Sequence, residues 1–195
     1  MAIRTITHLY DTYDDAAQVV ADLESAGIPH SDISLVANQP GNGVTAADHI
    51  SGAGTGAGIG AVLGGGAGLL AGIGALAIPG IGPVVADGWL VAALAGAGVG
   101  GAAGGLLGSL TGAGVDEDDA HVYAEGVRRG GSLVTTRADD AQSTLVESVM
   151  TRARYVDVAQ RGNEYRAAGW NGFDANTPPL MTSDVDAERR LRTGT

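Results

Sequence analysis

The feature that most constrains this chain is glycine repeated at strict four-residue intervals. Residues four apart share one side of a helix, so each run predicts a helical groove without side chains. Two such grooves let helix backbones approach closely, as GxxxG motifs do in membranes. The sequence therefore predicts close helix packing. The helix-packing glycines are Gly52, Gly56, Gly60, Gly64, Gly68 and Gly72 in the first run, and Gly96, Gly100, Gly104, Gly108 and Gly112 in the second.

Composition divides the chain into three parts. Of its 33 glycines, 23 lie in residues 51–115, a stretch whose one charged side chain is Asp87. The flanks are polar and acidic, and the net charge of −11 repels both phosphate backbones and anionic membrane surfaces. We therefore expect no nucleic-acid partner. Absence of cysteine and lysine excludes disulfides, thiolate metal sites and Schiff-base chemistry. The first residues lack the apolar run of a secretory signal, which indicates an intracellular protein.

Residues 1–50 predict the first half of an α+β body, in the order strand, helix, strand. Residues 3–10 suit a strand by their β-branched content. Thr12 and Asp15 have the spacing that caps a helix start, and Gly27 is typical of a helix end. Residues 33–37 predict the second strand.

Residues 116–162 predict the second half, in the order helix, strand, helix, strand. Asp116 begins an acidic first turn, and Gly130 follows the end of that helix. Strands are expected at 132–136 and 155–159, with a helix opening near Asp139. Without the insertion, this order is that of a ferredoxin-like split βαβ fold.

Residues 163–195 are predicted to be an irregular polar tail. The tail contains three aromatic residues, Tyr165, Trp170 and Phe173. Two alternatives stay open: these rings dock onto a neighbouring surface, or the tail is a flexible surface segment.

Residues 51–115 predict an inserted α-helical hairpin. Pro79, Gly80, Gly82 and Pro83 are its predicted turn. Each arm of roughly 25 residues would extend about 38 Å, enough to cross a hydrocarbon core of about 30 Å. A hairpin also returns both ends to one side, so the two half-domains can join. Three alternatives stay open: a membrane hairpin, a soluble oligomer whose hairpins share a helical core, and disordered low-complexity material.

Candidate chemical sites are weak. Gly56, Gly58 and Ala61 match a loose dinucleotide fingerprint, but no strand precedes it and no acid follows at the required distance, so no cofactor is expected. Glu117, His121 and Glu125 lie four apart on one helix face. Three such residues span about 12 Å and cannot all reach one ion, so no metal site is predicted within one chain. The alternative that stays open is a site formed by two of them with a residue of a partner.

The remaining titratable side chains show no catalytic pattern either. His8, His30 and His49 have no nucleophile paired with them in the sequence, and paired aspartates lie at helix starts, where the helix dipole explains them. We expect no catalytic residues, no small-molecule substrate and no enzymatic activity.

Three segments resemble a known family. Residues 8–37, with Tyr13-Asp14-Asp15-Ala16 and Asp32-Ile33-Ser34-Leu35-Val36, resemble the N-terminal module of bacterial heat-induced general stress proteins. Residues 78–88 and 123–134 are similar to the longer, glycine-rich (glycine-zipper) members. The resemblance implies a stress-associated bacterial protein with no assigned reaction, and it carries no functional residues across.

Together these features predict a non-enzymatic stress protein that self-associates as a homo-oligomer through its glycine-zipper hairpin. A lipid bilayer is the expected second partner. The protein would then lie at the bacterial inner membrane with its α+β body in the cytoplasm. The alternative is a cytoplasmic homo-oligomeric assembly.

Overall fold

A computed structural model describes residues 3–38, 74–78, 80–96 and 105–193. The first glycine run, Pro79, Gly100, Gly104, His49 and the fingerprint-like Gly56, Gly58 and Ala61 lie outside the described residues. The predictions made for these positions therefore stay predictions.

The described residues form a mixed α/β structure. Its strands are β1 (Ile3–Tyr10), β2 (Ile33–Asn38), β3 (Gly74–Ile78), β4 (Gly82–Gly88), β5 (Ser132–Asp139) and β6 (Tyr155–Val156). Its helices are α1 (Tyr13–Ser25), α2 (Trp89–Gly96), α3 (Gly105–Gly112), α4 (Glu117–Arg128), α5 (Ser143–Met150), α6 (Val158–Ala167) and α7 (Thr182–Thr193). A short 3₁₀ turn, His30–Asp32, precedes β2.

The six described strands lie in one sheet in the order β3-β4-β2-β5-β1-β6. Every neighbouring pair is antiparallel. β5 pairs with β1 from Ile3 opposite Asp139 to Tyr10 opposite Ser132. The sheet thus unites strands from both halves of the sequence.

Helices cover both faces of this sheet. On one face α1 and α5 bury a cluster that includes Tyr10, Val19 and Val146. The opposite face carries a larger cluster, which includes Leu9, Leu133 and Leu110. That second cluster draws side chains from α2, α3, α4 and the C-terminal residues, so the glycine-rich segment contributes to the core of the body.

The boundaries predicted for α1 and α4 are confirmed, whereas the helix expected to open near Asp139 begins at Ser143, because β5 continues to Asp139. The Thr12 hydroxyl accepts the Asp15 N–H at 3.1 Å and so caps α1. The Asp116 carboxylate accepts the Asp118 N–H at 3.0 Å and caps α4. Gly27 and Gly130 end these helices with φ of 90° and 92°, the left-handed conformation that glycine adopts without strain.

The helical conformation predicted on either side of the turn is wrong for residues 74–77 and 84–88. These residues form the hairpin of β3 and β4, in which Leu76 pairs with Val84 and β4 pairs in turn with β2. The predicted reversal at Gly80 and Gly82 is present, but it joins strands rather than helices. Without β4, one edge of β2 would be unpaired. The backbone hydrogen bonds that β4 forms there outweigh the neighbouring four-residue glycine pattern.

The irregular conformation predicted for residues 163–195 is also wrong. α6 runs to Ala167, and α7 follows at Thr182–Thr193. The Asp157 carboxylate accepts the Gln160 N–H at 2.8 Å, which caps α6 and ends β6 at Val156, short of the predicted residue 159. Tyr165 and Phe173 are buried at 4% and 9% exposure, so two of the tail's aromatic rings dock onto the body.

None of the helices within the described ranges combines the length and the hydropathy needed to cross a bilayer.

Candidate functional site

The second glycine run meets the body at α3, an eight-residue helix with two unlike faces. Leu106 and Leu110 are fully buried in the larger core cluster. Gly108 and Gly112 come two residues after each leucine, which places them on the opposite side of the helix. A Cβ atom built on Gly112 would meet nothing within 4 Å. The glycine side of α3 is therefore turned away from the core and is open at Gly112.

The polar side chains of α3 are bonded to its own backbone. The Ser109 hydroxyl donates to the carbonyl of Leu106 at 2.9 Å. The Thr111 hydroxyl lies 3.2 Å from the carbonyl of Leu107 and 3.3 Å from that of Gly108. These hydroxyls already donate to acceptors within the helix. An apolar neighbour could therefore cover α3 without leaving a buried hydrogen-bond donor unsatisfied.

The residue that begins α3 also lies close to the sheet. Gly105 begins α3 with a φ of 23°, and a Cβ atom there would lie 3.5 Å from Cγ2 of Ile78. Gly96 ends α2, whose Leu90 is fully buried. Of the predicted packing glycines, the structure thus describes Gly96, Gly108 and Gly112, and the last two lie on one helix face that is open at Gly112.

The first run belongs to a segment with both ends on the same sheet. Asn38, the last residue of β2, pairs with Val84, while Gly74, the first residue of β3, pairs with Ala86. One strand, β4, lies between them. From ordinary strand spacings the two ends are roughly 12 Å apart. Asn38 and Gly74, the described residues that flank this segment, are therefore near each other on the sheet.

The predicted turn residues take part in a different contact. Gly80 has a φ of 77°, and a Cβ atom there would lie only 2.8 Å from Cα of Ala175. The β3–β4 turn thus packs directly against the backbone of the C-terminal residues, and only glycine fits.

The three spaced residues of α4 do not converge on one point. Glu117 is exposed, whereas Glu125 is 1% exposed. His121 accepts the Phe173 N–H through Nδ1 at 3.0 Å. Within the described ranges no group of three or more histidine and acidic side chains is arranged to hold a metal ion.

Glu125 instead belongs to a buried ionic network that the sequence reading missed. Its carboxylate accepts from Arg128 at 2.9 and 3.1 Å and also from Arg129. Arg129 donates to Glu188 of α7 at 2.9 Å and stacks over the ring of Tyr165. The sequence could have indicated this network, because Arg128 and Arg129 follow Glu125 by three and four residues. Side chains at these spacings meet on a helix.

His30 lies between two carboxylates. Its Nδ1 is 2.7 Å from Glu24, and its Nε2 is 3.3 Å from Asp87. Burial raises the pKa of Asp87, an effect opposed by His30 and by the Gly88 N–H. His8 is 3.2 Å from Glu147 and meets the ring of Tyr155 edge-on. Both histidines thus make ionic or ring contacts, and neither contact involves a nucleophile.

A polar cleft of about 240 Å³ lies between β6 and α6. Arg161 in this cleft binds Asp11 through two hydrogen bonds of 2.9 and 3.0 Å. Burial would lower the pKa of Arg161, but its bonds to Asp11 outweigh burial and raise it. The cleft is lined by Asp11, Tyr155, Val156, Asp157, Gln160, Arg161 and Glu164. Its arginine is neutralised within the cleft, which leaves an acidic lining.

Comparison of the chain with protein-family models, with curated proteins and with solved structures finds no match.

Proposed function

We propose that this protein is a non-enzymatic, stress-associated bacterial protein whose copies assemble through their glycine-rich helical surfaces. The observation that carries this proposal is the orientation of α3, with its leucines in the core and Gly108 and Gly112 on the opposite side. A helix face without side chains lets a second backbone approach closely, and that contact offsets the poor helix propensity of glycine.

The body is proposed to be ferredoxin-like. Without β3 and β4, the strand order is β2-β5-β1-β6, which supports the split βαβ arrangement. The predicted sequence of strands and helices in both halves agrees with this order. The glycine-rich insertion would then enter between the second and third strands of that body.

A soluble assembly is the form that the geometry favours. Residues 51–73 as one helix would extend about 35 Å, so a membrane crossing would carry the chain to the far side. Asn38 and Gly74 are anchored on one sheet, about 12 Å apart by strand spacing. A single crossing would require residues 39–50 to return through the bilayer, where an extended backbone lacks hydrogen-bond partners.

Association with a bilayer is the second candidate. The observation that favours it is the lack of any charged side chain in residues 51–73, together with the scattered leucines and isoleucines of that segment. Such a segment would have to lie along the membrane surface or pass out and back as a pair of shorter helices.

The test is native mass measurement with Gly112→Leu. Because nothing lies within 4 Å of a Cβ at this position, the added side chain leaves the monomer intact while filling the proposed groove. We expect the assembly to dissociate. Gln18→Leu, on the exposed side of α1, adds the same side chain elsewhere and should assemble normally. Normal assembly of the Gly112 variant would exclude α3 as the contact.

A second variant tests the first run. Gly60, Gly64 and Gly68 replaced together by leucine should also abolish assembly, although the segment becomes more hydrophobic. Cell fractionation separates the two candidates. Wild-type protein that stays in the high-speed supernatant as a defined particle supports the soluble assembly, and a pellet that only detergent releases supports the bilayer.

A further inference from the structure

The residues after α6 form a segment that contacts the body at several separate points. We define the C-terminal segment as residues 169–193. Phe173 is inserted into the larger core cluster, and Val185 of α7 is fully buried. The salt bridge from Arg129 to Glu188 fixes α7. Backbone atoms of Ala175 contact the β3–β4 turn at Gly80.

Two hydrogen bonds fix the backbone at the start of this segment. The Trp170 N–H donates to the carbonyl of Tyr165 at 3.0 Å. The Phe173 N–H donates to Nδ1 of His121 at 3.0 Å. The two residues between these anchors are Asn171, which is exposed, and Gly172, which has a φ of 134°. Among the described residues, no acceptor is hydrogen-bonded to the Gly172 N–H.

We propose that Asn171–Gly172 is a site of spontaneous deamidation and backbone isomerisation that releases the C-terminal segment. In this reaction the Gly172 nitrogen loses its proton and attacks Cγ of Asn171. The side-chain amide leaves as ammonia, and a five-membered succinimide forms. Water then opens the ring at either carbonyl and produces aspartate or isoaspartate.

The local structure favours the attack for three reasons. Glycine has no Cβ atom to hinder the approach of its nitrogen to Cγ. Its backbone can also adopt dihedral angles that other residues rarely adopt. The Gly172 N–H has no hydrogen bond to a described residue that would have to break first. Exposure of Asn171 gives water and hydroxide direct access to the reacting atoms.

The position of the dipeptide determines the effect of the reaction. Isoaspartate inserts a methylene group into the main chain, midway between the anchors at Trp170 and Phe173. The Phe173 N–H can then no longer meet His121 while the Phe173 ring stays in the core. Because cores are close-packed, displacement of that ring opens contacts on every side. The modified chain would release the segment and uncover the β3–β4 turn at Gly80, which packs against Ala175.

The experiment is incubation of the purified full chain at mildly alkaline pH, followed by peptide mass mapping and enzymatic methylation of isoaspartate. Asn176 is the internal control, since it is exposed in the same segment but is followed by Thr177. We expect conversion at Asn171 to be many-fold faster than at Asn176. Equal rates at the two positions would overturn the proposed site.

Hydrogen exchange tests the release. Amide protection across residues 173–193 should be lost in the isoaspartate form. It should persist in Asn171→Gln after the same incubation, because glutamine forms the larger cyclic imide slowly. Asn171→Asp adds the charge without the methylene and should keep the segment protected. Full protection in the isoaspartate form, or loss in the Asn171→Asp variant, would overturn the proposed mechanism.

Discussion

Glu125 and Arg129 form an ion pair whose carboxylate is almost completely removed from solvent, with Glu125 at 1% and Arg129 at 19% exposure. The side chain of Arg128 joins the same carboxylate and is 13% exposed. Burial would lower the pKa of Arg129, but its hydrogen bond to Glu125 raises it. Two arginines near the surface of the core thus share one buried acid, and one of them also holds α7.

Replacing Glu125 by glutamine should strongly destabilise the fold. The change leaves Arg128 and Arg129 without their shared counter-charge, and breaking a buried pair in this way typically costs about 3–5 kcal/mol. Urea unfolding measures the loss. Glu147→Gln is the matched control, because Glu147 is 52% exposed beside His8 and should lose less than about 1 kcal/mol. Equal losses would mean that the network is only a surface feature.

Two helical glycines should respond in opposite directions to alanine. A Cβ atom on Gly126 would lie within 3.2 Å of Cδ1 of Leu9, and even closer to Cδ2, in the middle of the core. Overpacking of this kind costs roughly 1–3 kcal/mol. Gly112→Ala meets open space in the monomer, which should gain up to about 1 kcal/mol from helix propensity. Thermal unfolding of both variants checks the prediction, and a stabilised Gly126 variant would contradict the packing.

Gly88 and Gly27 separate backbone strain from lack of space. Both have a φ of 90°, so alanine costs about 1–2 kcal/mol in either place. A Cβ atom on Gly27 meets nothing, whereas one on Gly88 would overlap the carbonyl oxygen of Ile33. Gly88→Ala should therefore destabilise by clearly more than Gly27→Ala. Urea midpoints compare the two, and equal shifts would mean that β4 is free to move away from β2.

Asp87 should make stability depend on pH in the acid range. Burial raises its pKa above the ordinary value of 3.8, so the native state favours the protonated carboxyl. The free energy of unfolding should fall as the pH rises from 3.8 through the raised pKa, and then level off. Asp87→Asn keeps an acceptor for the Gly88 N–H. Because asparagine does not ionise, this variant should not show the fall in the free energy of unfolding.

The advantage of Asp87→Asn over the wild type should therefore grow between acid and neutral pH. Urea unfolding across that range measures it, and the same comparison in a His30→Gln background removes the ionic contact with His30. A variant that becomes progressively less stable than wild type as the pH rises would contradict the raised pKa.

The sequence predicted those elements whose signals are local. The cap at Thr12, the cap at Asp116 and the end glycines Gly27 and Gly130 all lie within one helical turn of the boundary that they determine. Ala120, Tyr123 and Val127 are buried on α4 at the spacing of one helix face. These interactions form between residues that are near in sequence, so pattern alone indicates them.

The β3–β4 hairpin could not be predicted in this way, because its stability depends on pairing with β2, more than forty residues earlier. The glycine spacing around it favoured a helix, and tertiary hydrogen bonding prevailed. The start of α6 could have been predicted from the sequence, since Asp157 and Gln160 have capping-box spacing. The network of Glu125 required α7 to fold back onto α4, which spacing alone does not indicate.

Asn38 and Gly74 lie near each other on one sheet, so the fold does not fix the number of residues between them. Closing a longer loop adds only about 0.6 kcal/mol for each doubling of its length. Glycine steps of four residues could thus be added or deleted between Asn38 and Gly74 while the body stays folded. If the repeats form the contacts between copies, the size of the assembled particle should change with the number of four-residue repeats.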